Sequence, residues 1–315
     1  MSEVENSWKP AAMSRIESAD EAPKGFKWLI FAGIGLKSKM LEPIDENNWN
    51  NTISGLKSWG EVPSENVIIE EVSNTERGIN LKLNDSGTYW LAEFFPWGTD
   101  GRFRARISLA PSGSDVPIGG YDWNGMDIIS VRKWKEEVRD ISSKLYDSIN
   151  SNDLEISKEI IFQSAAALGR YHSAVENARV TPRDARRWNK RLEQLEARLR
   201  ANTIWRAPHT KHTDCILTIG DIRFSDMIND DSGKYNIHFS RPRLADSIIP
   251  PECEFPAIRD FSSLLHDLNR IYFLCDSELK ISELRSTLIE GWKSTAPAKW
   301  SSKEIFYTPR GGAFF

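Results

Sequence analysis

The sequence predicts an α+β protein of two lobes, a small antiparallel N-lobe and a mainly helical C-lobe. The chain has 315 residues, more than the roughly 250–300 at which single hydrophobic cores stop growing. Apolar residues alternate at strand spacing between positions 67 and 95, and they recur at helical spacing through most of the chain after 126. We therefore expect a disordered tail at 1–23, an N-lobe at 24–125, a C-lobe at 126–296 and a C-terminal tail at 297–315.

The composition is that of a soluble globular protein. Apolar residues make up 40% and charged residues 27% of the chain, and its formal net charge is −4. A negative charge disfavours a chain-wide surface for nucleic acid or for an anionic membrane. The longest apolar run, 28–36, is less than half the ~20 residues of a spanning helix, so it predicts a buried strand. Three cysteines without a CxxC pair, and an N-terminus without a signal-peptide pattern, predict a cytoplasmic location.

The N-lobe is predicted to contain one helix followed by strands. Residues 44–59 carry apolar side chains near helical spacing and are followed by Gly60, which suits a helix stop. Strand alternation and intervening turn residues mark three segments, 67–69, 79–83 and 88–94. Residues 103–109 alternate like a further strand, and residues 111–125 are rich in turn formers.

Five helices are predicted in the C-lobe from apolar stripes at helical spacing. The first two stripes run through 131–145 and 156–171. The third helix, over 181–199, opens with Thr-Pro, which is an N-cap and first-turn signal. The last two stripes run through 264–271 and 281–292.

Two segments of the C-lobe carry the most specific motifs. They read Ile219-Gly220-Asp221-Ile222-Arg223-Phe224-Ser225-Asp226 and Ile237-His238-Phe239-Ser240. Helical segments at 166–172 and 260–268 fit the same pattern on either side. With these motifs, residues 65–290 resemble the aminoglycoside phosphotransferase and choline kinase-like group of small-molecule kinases. The resemblance implies a protein kinase-like fold, with ATP and Mg²⁺ as the cofactors of an active member.

The resemblance also implies roles for three carboxylates of the C-lobe. Asp221 corresponds to the catalytic base near the attacking hydroxyl. Asp226 stands where an Asn is usual, and as a carboxylate it is a candidate ligand of Mg²⁺ and of the cofactor. Asp260 corresponds to the helix residue that bonds back to the catalytic loop and supports it.

Other positions of the family pattern are weaker or replaced. Ser73, Asn74 and Gly78 lie between the first two predicted strands, where the resemblance implies that backbone N–H groups cover nucleotide phosphates. The strand lysine of the family corresponds to Ala92, which cannot neutralise phosphate charge. Its metal-binding Asp corresponds to His238, and a neutral imidazole suits Zn²⁺ or Cu²⁺ better than Mg²⁺.

These replacements predict a divergent phosphotransferase-like protein that is catalytically impaired and acts as a binding or regulatory module, in short a pseudokinase. The alternative is an active ATP- and Mg²⁺-dependent kinase of a small molecule, in which Asp221 orients the acceptor hydroxyl and Asp226 holds metal. In either case the expected ligand is a nucleotide or a small molecule.

A weaker alternative depends on a basic segment. Eight Arg and one Lys face only three acidic residues between Arg179 and Arg206. Such a helix could bind an acidic protein partner or RNA, although the chain carries no aromatic stacking motif of an RNA-binding module. A solvated helix face with internal salt bridges is the competing interpretation.

Overall fold

The computed structural model describes nine ranges of the chain. These are 14–18, 20–33, 36–75, 77–99, 101–135, 141–178, 215–229, 233–241 and 255–301. Thirteen β-strands and seven α-helices lie within them. They form an antiparallel N-lobe and a mainly helical C-lobe, so the predicted α+β architecture is confirmed.

The N-lobe begins with a three-stranded antiparallel sheet and a short helix. The elements are β1 (Ser14–Glu17), β2 (Phe26–Gly33), β3 (Leu36–Pro43) and α1 (Trp49–Ile53). The side chain of Asn48 caps α1 by accepting a hydrogen bond from the backbone N–H of Asn51. The prediction of a disordered tail over 1–23 is wrong for β1, because pairing with β2 satisfies its backbone.

The other N-lobe strands form a six-stranded antiparallel sheet. They are β4 (Lys57–Gly60), β5 (Ile68–Thr75), β6 (Gly78–Asp85), β7 (Thr88–Thr99), β8 (Gly119–Trp123) and β9 (Met126–Lys133). Their order across the sheet is β4-β8-β9-β7-β6-β5. The helix α2 (Arg102–Ser108) lies between β7 and β8 in the chain. The three strands predicted over 67–94 are confirmed as β5, β6 and β7.

Residues of β7 alternate between two environments, as the two-residue period of a strand requires. Ala92 and Phe94 are buried in an apolar core that joins the six-stranded sheet to β2 and β3. Phe26 of β2 packs edge-on against Phe94, with ring centroids 6.0 Å apart. Glu93 lies on the opposite face, where its carboxylate accepts a hydrogen bond from Ser240 of the C-lobe.

Two N-lobe predictions are wrong about element type. The helix predicted over 44–59 ends after Ile53, because Lys57–Gly60 pairs with β8 as an edge strand. The strand predicted over 103–109 is the helix α2. Its apolar Phe103 and Ile107 are four residues apart and therefore share a helix face, from which Phe103 packs against Phe95 at 4.9 Å between ring centroids.

The N-lobe extends beyond the predicted boundary at residue 125. Strand β9 lies between β8 and β7 in the middle of the sheet, so the N-lobe reaches Lys133. Val131, predicted to open a helical stripe, is buried in β9, and the next described helix begins at Ile141. β9 is buried on both faces, and its adjacent Ile128 and Ile129 interrupt the alternation of apolar and polar residues that marks a half-buried strand.

The C-lobe packs its helices around a second apolar core. Its elements are α3 (Ile141–Asn150), α4 (Leu154–Val175), β10 (Cys215–Ile216), β11 (Met227–Asn229), β12 (Tyr235–Ile237), β13 (Phe255–Pro256), α5 (Ile258–Leu274), α6 (Ile281–Thr295) and α7 (Ala298–Ser301). The helices predicted over 156–171, 264–271 and 281–292 are confirmed as α4, α5 and α6. The C-terminal tail predicted from 297 begins too early, because Trp300 of α7 is buried in this core.

Helices α4 and α6 of the C-lobe pack closely against each other at two glycines. A Cβ atom at Gly291 of α6 would lie 2.4 Å from the carbonyl oxygen of Phe162, and one at Gly169 would lie 2.2 Å from Oγ1 of Thr295. Both distances are shorter than van der Waals contact. Glycine is therefore required at each position for the helices to approach this closely.

The predicted helix over 181–199 and the basic segment 179–206 lie outside the described residues. Among the helices of the described ranges, none is both long and apolar enough to cross a bilayer.

Candidate functional site: the cleft between the lobes

The loop that carries Asp221 lies between β10 and a 3-10 helical turn, Phe224–Asp226. Asp260, in the first turn of α5, accepts hydrogen bonds from the backbone N–H groups of Ile219 at 2.8 Å and Gly220 at 2.9 Å. Gly220 has φ of +108°, a conformation that favours glycine. The buried carboxylate of Asp260 therefore holds the loop in a fixed conformation.

A buried chain of side chains fixes Asp260 in turn. The indole Nε1–H of Trp292 donates to Nδ1 of His172 at 2.9 Å, and Nε2 of His172 lies 3.3 Å from Oδ2 of Asp260. Because an indole nitrogen can only donate, Nδ1 carries no proton and the Nε2–H donates to Asp260. Helices α4 and α6 thus orient the carboxylate that holds the loop.

A second carboxylate of α5 holds the 3-10 turn. Asp267 accepts a hydrogen bond from the backbone N–H of Phe224 at 2.8 Å and another from Nε of Arg270 at 2.8 Å. Burial raises the pKa of Asp267, while the neighbouring Arg270 opposes that shift. The segment 219–226 is therefore fastened to one helix at both of its ends.

Asp221 itself remains partly accessible. About a quarter of its side chain is exposed, and its Oδ2 lies 3.2 Å from Nη2 of Arg223. The structure thus places this carboxylate at the solvent-accessible edge of a rigidly held loop.

Asp226, by contrast, is buried in an ion pair. Its Oδ2 accepts a hydrogen bond from Nη2 of Arg77 and another from the backbone N–H of Arg223 at 2.8 Å. Arg77 belongs to the hairpin between β5 and β6, so the pair joins the N-lobe to the C-lobe. A guanidinium at this carboxylate repels a metal cation and occupies the oxygen that would bind it.

Polar groups at the end of the hairpin between β5 and β6 form hydrogen bonds with one another. Ser73 and Asn74 pair with β6 in the regular antiparallel register. The hydroxyl of Thr75 donates to the carbonyl oxygen of Gly78 at 3.0 Å and accepts from the backbone N–H of Arg77 at 3.2 Å. The N–H of Arg77 is therefore already bonded within the hairpin and does not face a phosphate.

A second arginine, Arg241 of the C-lobe, also binds this hairpin. Arg241 follows β12 and the His238 segment, and its Nε donates to the carbonyl oxygen of Arg77 at 2.9 Å. Its Nη1 donates to Oδ1 of Asn80 at 2.6 Å, and its Nη2 donates to Oγ1 of Thr75 at 2.9 Å. Nη1 of Arg77 donates in return to the carbonyl oxygen of Arg241 at 2.7 Å.

Glu93 occupies the cleft position that Ala92 was predicted to occupy. The side chain of Ala92 faces the apolar N-lobe core, so the predicted equivalence with the strand lysine is wrong. Glu93 accepts hydrogen bonds from Nη2 of Arg132 at 2.7 Å and from Oγ of Ser240 at 2.8 Å. Burial raises the pKa of Glu93, but the charge of Arg132 outweighs this and holds it well below its usual range.

His238 completes the buried network. Its Nδ1 lies 2.6 Å from Oδ2 of Asp115 and 3.1 Å from Nη1 of Arg132, and its Nε2 lies 3.7 Å from Oε1 of Glu93. Burial and Arg132 lower the pKa of His238, but the hydrogen bond to Asp115 and the nearby carboxylate of Glu93 outweigh them and raise it. Burial likewise opposes ionisation of Asp115, yet His238 and Arg132 lower its pKa. An imidazolium between ionised carboxylates is the state that this geometry favours.

The backbone also joins the lobes at this point. Asp115 forms an isolated parallel bridge with His238. The N–H of Asp115 donates to the carbonyl oxygen of Ile237 at 2.9 Å, and the N–H of Phe239 donates to the carbonyl oxygen of Asp115 at 2.9 Å. The segment before β8 thus extends the C-lobe hairpin of β11 and β12.

Solved structures of glucosamine kinase have the same architecture. A complex with glucosamine, ADP and inorganic phosphate matches with a TM-score of 0.51 and 11% identity, over 95% of this chain and 89% of that chain. A second crystal form matches with a TM-score of 0.54 and 11% identity, over 92% and 80% of the two chains. The chain has the protein kinase-like fold. No protein-family model matches the sequence, and no curated protein matches it.

The residues at the two metal positions of the kinase-like cleft do not fit Mg²⁺. Asp226 is neutralised by Arg77, and the metal-strand position carries His238, which already contacts two carboxylates. Within the described ranges there is no cluster of three or more His, Cys, Asp or Glu side chains suited to a metal ion. Mg²⁺ requires free oxygen ligands in near-octahedral geometry, and these residues do not provide them.

The structure brings some of the predicted residues together and separates others. Asp221, Asp226 and Asp260 lie on one loop and the helix that holds it, whereas Ser73 and Asn74 are ladder residues of β5. Sequence reasoning missed five network residues, Arg77, Glu93, Asp115, Arg132 and Arg241. The two-residue period of β7 could have identified Glu93, because it must face away from the core that receives Ala92. The arginines have no local signal, since their partners are distant in sequence.

Proposed function

We propose that this chain is a non-catalytic member of the protein kinase-like fold, a pseudokinase that acts as a binding or regulatory module. The observation that carries the proposal is the buried pair of Arg77 with Asp226. The guanidinium of Arg77 lies at the carboxylate that would be a metal ligand in an active relative, and this contact supports the proposal.

The ion pair is strong enough to oppose nucleotide binding. The side chains of Arg77 and Asp226 are only 10% and 4% exposed, so water screens their attraction weakly. Separating a buried pair and leaving one charge uncompensated costs about 3–5 kcal/mol. A metal nucleotide would have to supply a new partner for each of the two charges before it gained affinity from this site.

The charge at His238 supports the same proposal. The contacts with Asp115 and Glu93 favour the protonated ring and raise its pKa. A protonated imidazole cannot donate a lone pair to a metal, and it repels a cation. Two of the positions that would hold Mg²⁺ in an active relative are thus occupied by positive charge or neutralised by it.

A second candidate is an active small-molecule kinase, and one observation favours it. Asp221 is partly exposed on a loop that α5 holds rigidly, which is the arrangement that a catalytic base requires. ATP and Mg²⁺ would then be the cofactors, and a small molecule with hydroxyl groups would be the acceptor. The glucosamine kinase neighbours, which bind an amino sugar and ADP, support that substrate class.

The partner of a pseudokinase module is a separate proposal. The basic segment 179–206 supports an acidic protein as the partner, because its positive charge contrasts with the acidic remainder of the chain. Cysteines without a CxxC pair support a reducing, cytoplasmic location.

Thermal unfolding of the full chain with nucleotide tests the two candidates. A ligand that binds only the folded state stabilises it by about 2.7 kcal/mol at a hundredfold excess over its Kd. We expect no shift with millimolar Mg·ATP or Mn·ATP. The variant Arg77→Ser with His238→Asp releases Asp226 and restores a carboxylate, so we expect it to gain a metal-dependent shift. A metal-dependent shift of the unchanged protein, or transfer of phosphate by it, would reject the pseudokinase in favour of the active kinase.

A further inference from the structure

We propose that Arg77 and Arg241 form a clasp that closes the hairpin between β5 and β6 onto the C-lobe without any ligand. The clasp is a conformational device built into the cleft. It deepens the proposed function, because it would keep a pseudokinase in one closed shape, but it rests on contacts between the lobes and not on a loss of catalysis.

The contacts of the clasp are reciprocal. Each arginine donates through its side chain to the backbone carbonyl oxygen of the other, Arg241 at 2.9 Å and Arg77 at 2.7 Å. These residues are 164 positions apart in the chain, so the two bonds connect separate lobes. Arg241 also donates to Thr75 and Asn80, on the two strands of the hairpin. A rigid guanidinium can serve three such acceptors at once, because its five donors lie in one plane.

The backbone of the hairpin is shaped to receive Arg241. Gly78 has φ of +135°, and a Cβ atom there would lie 3.1 Å from Nε of Arg241 and 3.2 Å from the ring of Pro96. The side chain of Arg241 is fully buried under this glycine. A larger residue at position 78 would therefore press on the guanidinium and also adopt an unfavourable backbone conformation.

Carboxylates at both ends compensate the charge of the clasp. Asp226 accepts a hydrogen bond from Arg77, and Oε1 of Glu93 lies 3.5 Å from Nη1 of Arg241. Two guanidinium groups can be buried side by side only when such counter-charges accompany them. The clasp is thus one part of the network that contains Arg132.

The closed state of the clasp also carries a cost. The buried Nε of Arg77 has no hydrogen-bond partner among the described residues. A buried donor without an acceptor destabilises the state that buries it. The clasp therefore holds the hairpin by several good bonds against one unsatisfied donor, and removal of one good bond should shift the balance measurably.

Hydrogen exchange of the full chain without nucleotide tests the clasp. We expect the hairpin amides at 73–80 to exchange slowly in the unchanged protein. Arg241→Lys keeps the charge but cannot serve three acceptors in a plane, so exchange at 73–80 should accelerate at least about tenfold. Arg104→Lys is the matched control, because Arg104 pairs with Asp122 and Asp127 inside the N-lobe. It should leave exchange at 73–80 unchanged.

Asn80→Val is a second, milder variant that keeps the test decisive if Arg241→Lys does not fold. It removes the amide oxygen that accepts from Nη1 of Arg241 and places a β-branched residue in the strand. We expect a smaller acceleration confined to the same amides. Unchanged exchange at 73–80 in every folded clasp variant, or equal acceleration in Arg104→Lys, would overturn the proposal. Because no nucleotide is present, this outcome is independent of whether the chain binds Mg·ATP.

Discussion

Replacing Asp226 by Asn tests whether the cleft is built as an ion pair. The substitution keeps the size of the side chain and an acceptor oxygen for the backbone N–H of Arg223, but it leaves the guanidinium of Arg77 without its counter-charge. Both partners are at least nine-tenths buried, so solvent screening does not reduce the effect. We expect Asp226→Asn to lower the free energy of unfolding by about 3–5 kcal/mol.

Urea unfolding of the full chain measures this loss through the transition midpoint at constant slope. The double variant Arg77→Met with Asp226→Asn removes both charges and keeps an apolar stem in the space. It should recover most of the stability, because the main cost of the single change is an uncompensated buried charge. The exposed pair of Lys133 with Glu61 provides the control. Glu61→Gln should cost less than about 1 kcal/mol.

The result also discriminates between two interpretations of the sequence. An Asn is usual at this position in the resembling kinases, so a cleft of ordinary kinase type would tolerate Asp226→Asn with little loss. A loss below about 1 kcal/mol, or a double variant no more stable than the single one, would refute the argument from the buried pair.

Three further predictions follow from other parts of the structure. The pKa of His238 is raised in the folded protein, so the stability that its protonated ring contributes is complete below the unfolded value near 6.5 and is lost as pH rises through the folded value. The pKa values of Glu93 and Asp115 are lowered, so the stability that these carboxylates contribute is lost as pH falls below about 4. Stability against urea should therefore be greatest between about pH 4.5 and 6.5, and His238→Gln should reduce its decline on the alkaline side; an unchanged alkaline slope would contradict this. Asp221→Asn should leave stability nearly unchanged, because the side chain is partly exposed. The same variant should abolish any phosphate transfer that a sensitive radiometric assay detects in the unchanged protein, and a surviving rate would exclude Asp221 as the base. Gly291→Ala gains about 1 kcal/mol of helix propensity, but it places a Cβ 2.4 Å from a backbone carbonyl oxygen of α4. We therefore expect the variant to be less stable by about 1–3 kcal/mol. A stabilised variant would show that α4 and α6 can separate without cost.

The fold could be predicted from the sequence where one period dominated a segment. β6 alternates apolar and polar residues, and α5 and α6 repeat apolar residues at helical spacing, so their types were predictable. The segment of α2 was not, because its arginines alternate with apolar residues while Phe103 and Ile107 also satisfy a helical spacing. β9 was missed because Ile128 and Ile129 shift the phase of its alternation, and because Val131 also begins an apolar repeat at helical spacing.

The candidate site likewise contains residues that the sequence could predict and residues that it could not. The loop of Asp221 and its support by Asp260 could be anticipated, because a short motif and a helix start mark them in the sequence. The partner of Asp226 could not, since Arg77 lies 149 positions away and an arginine next to a glycine in a hairpin is an ordinary surface residue in most proteins. Long-range pairing of buried charges depends on how the lobes dock, and no local period encodes it.

The loop and the cleft above it differ in the chemistry that they favour. Asp260, His172 and Trp292 hold the loop that carries Asp221. The cleft opposes the guanidinium groups of Arg77, Arg132 and Arg241 with the carboxylates of Asp226, Glu93 and Asp115. A site for Mg·ATP needs unpaired carboxylates for the metal and unpaired cations for the phosphates, whereas each of these six groups of the described residues already lies against an opposite charge. Charges that satisfy one another within the protein gain little from a charged ligand, because the ligand must first break the pairs that it replaces. The bonds that hold the loop are thus those that a catalytic base would need, while the charge pairing of the cleft is the basis on which we propose a non-catalytic module.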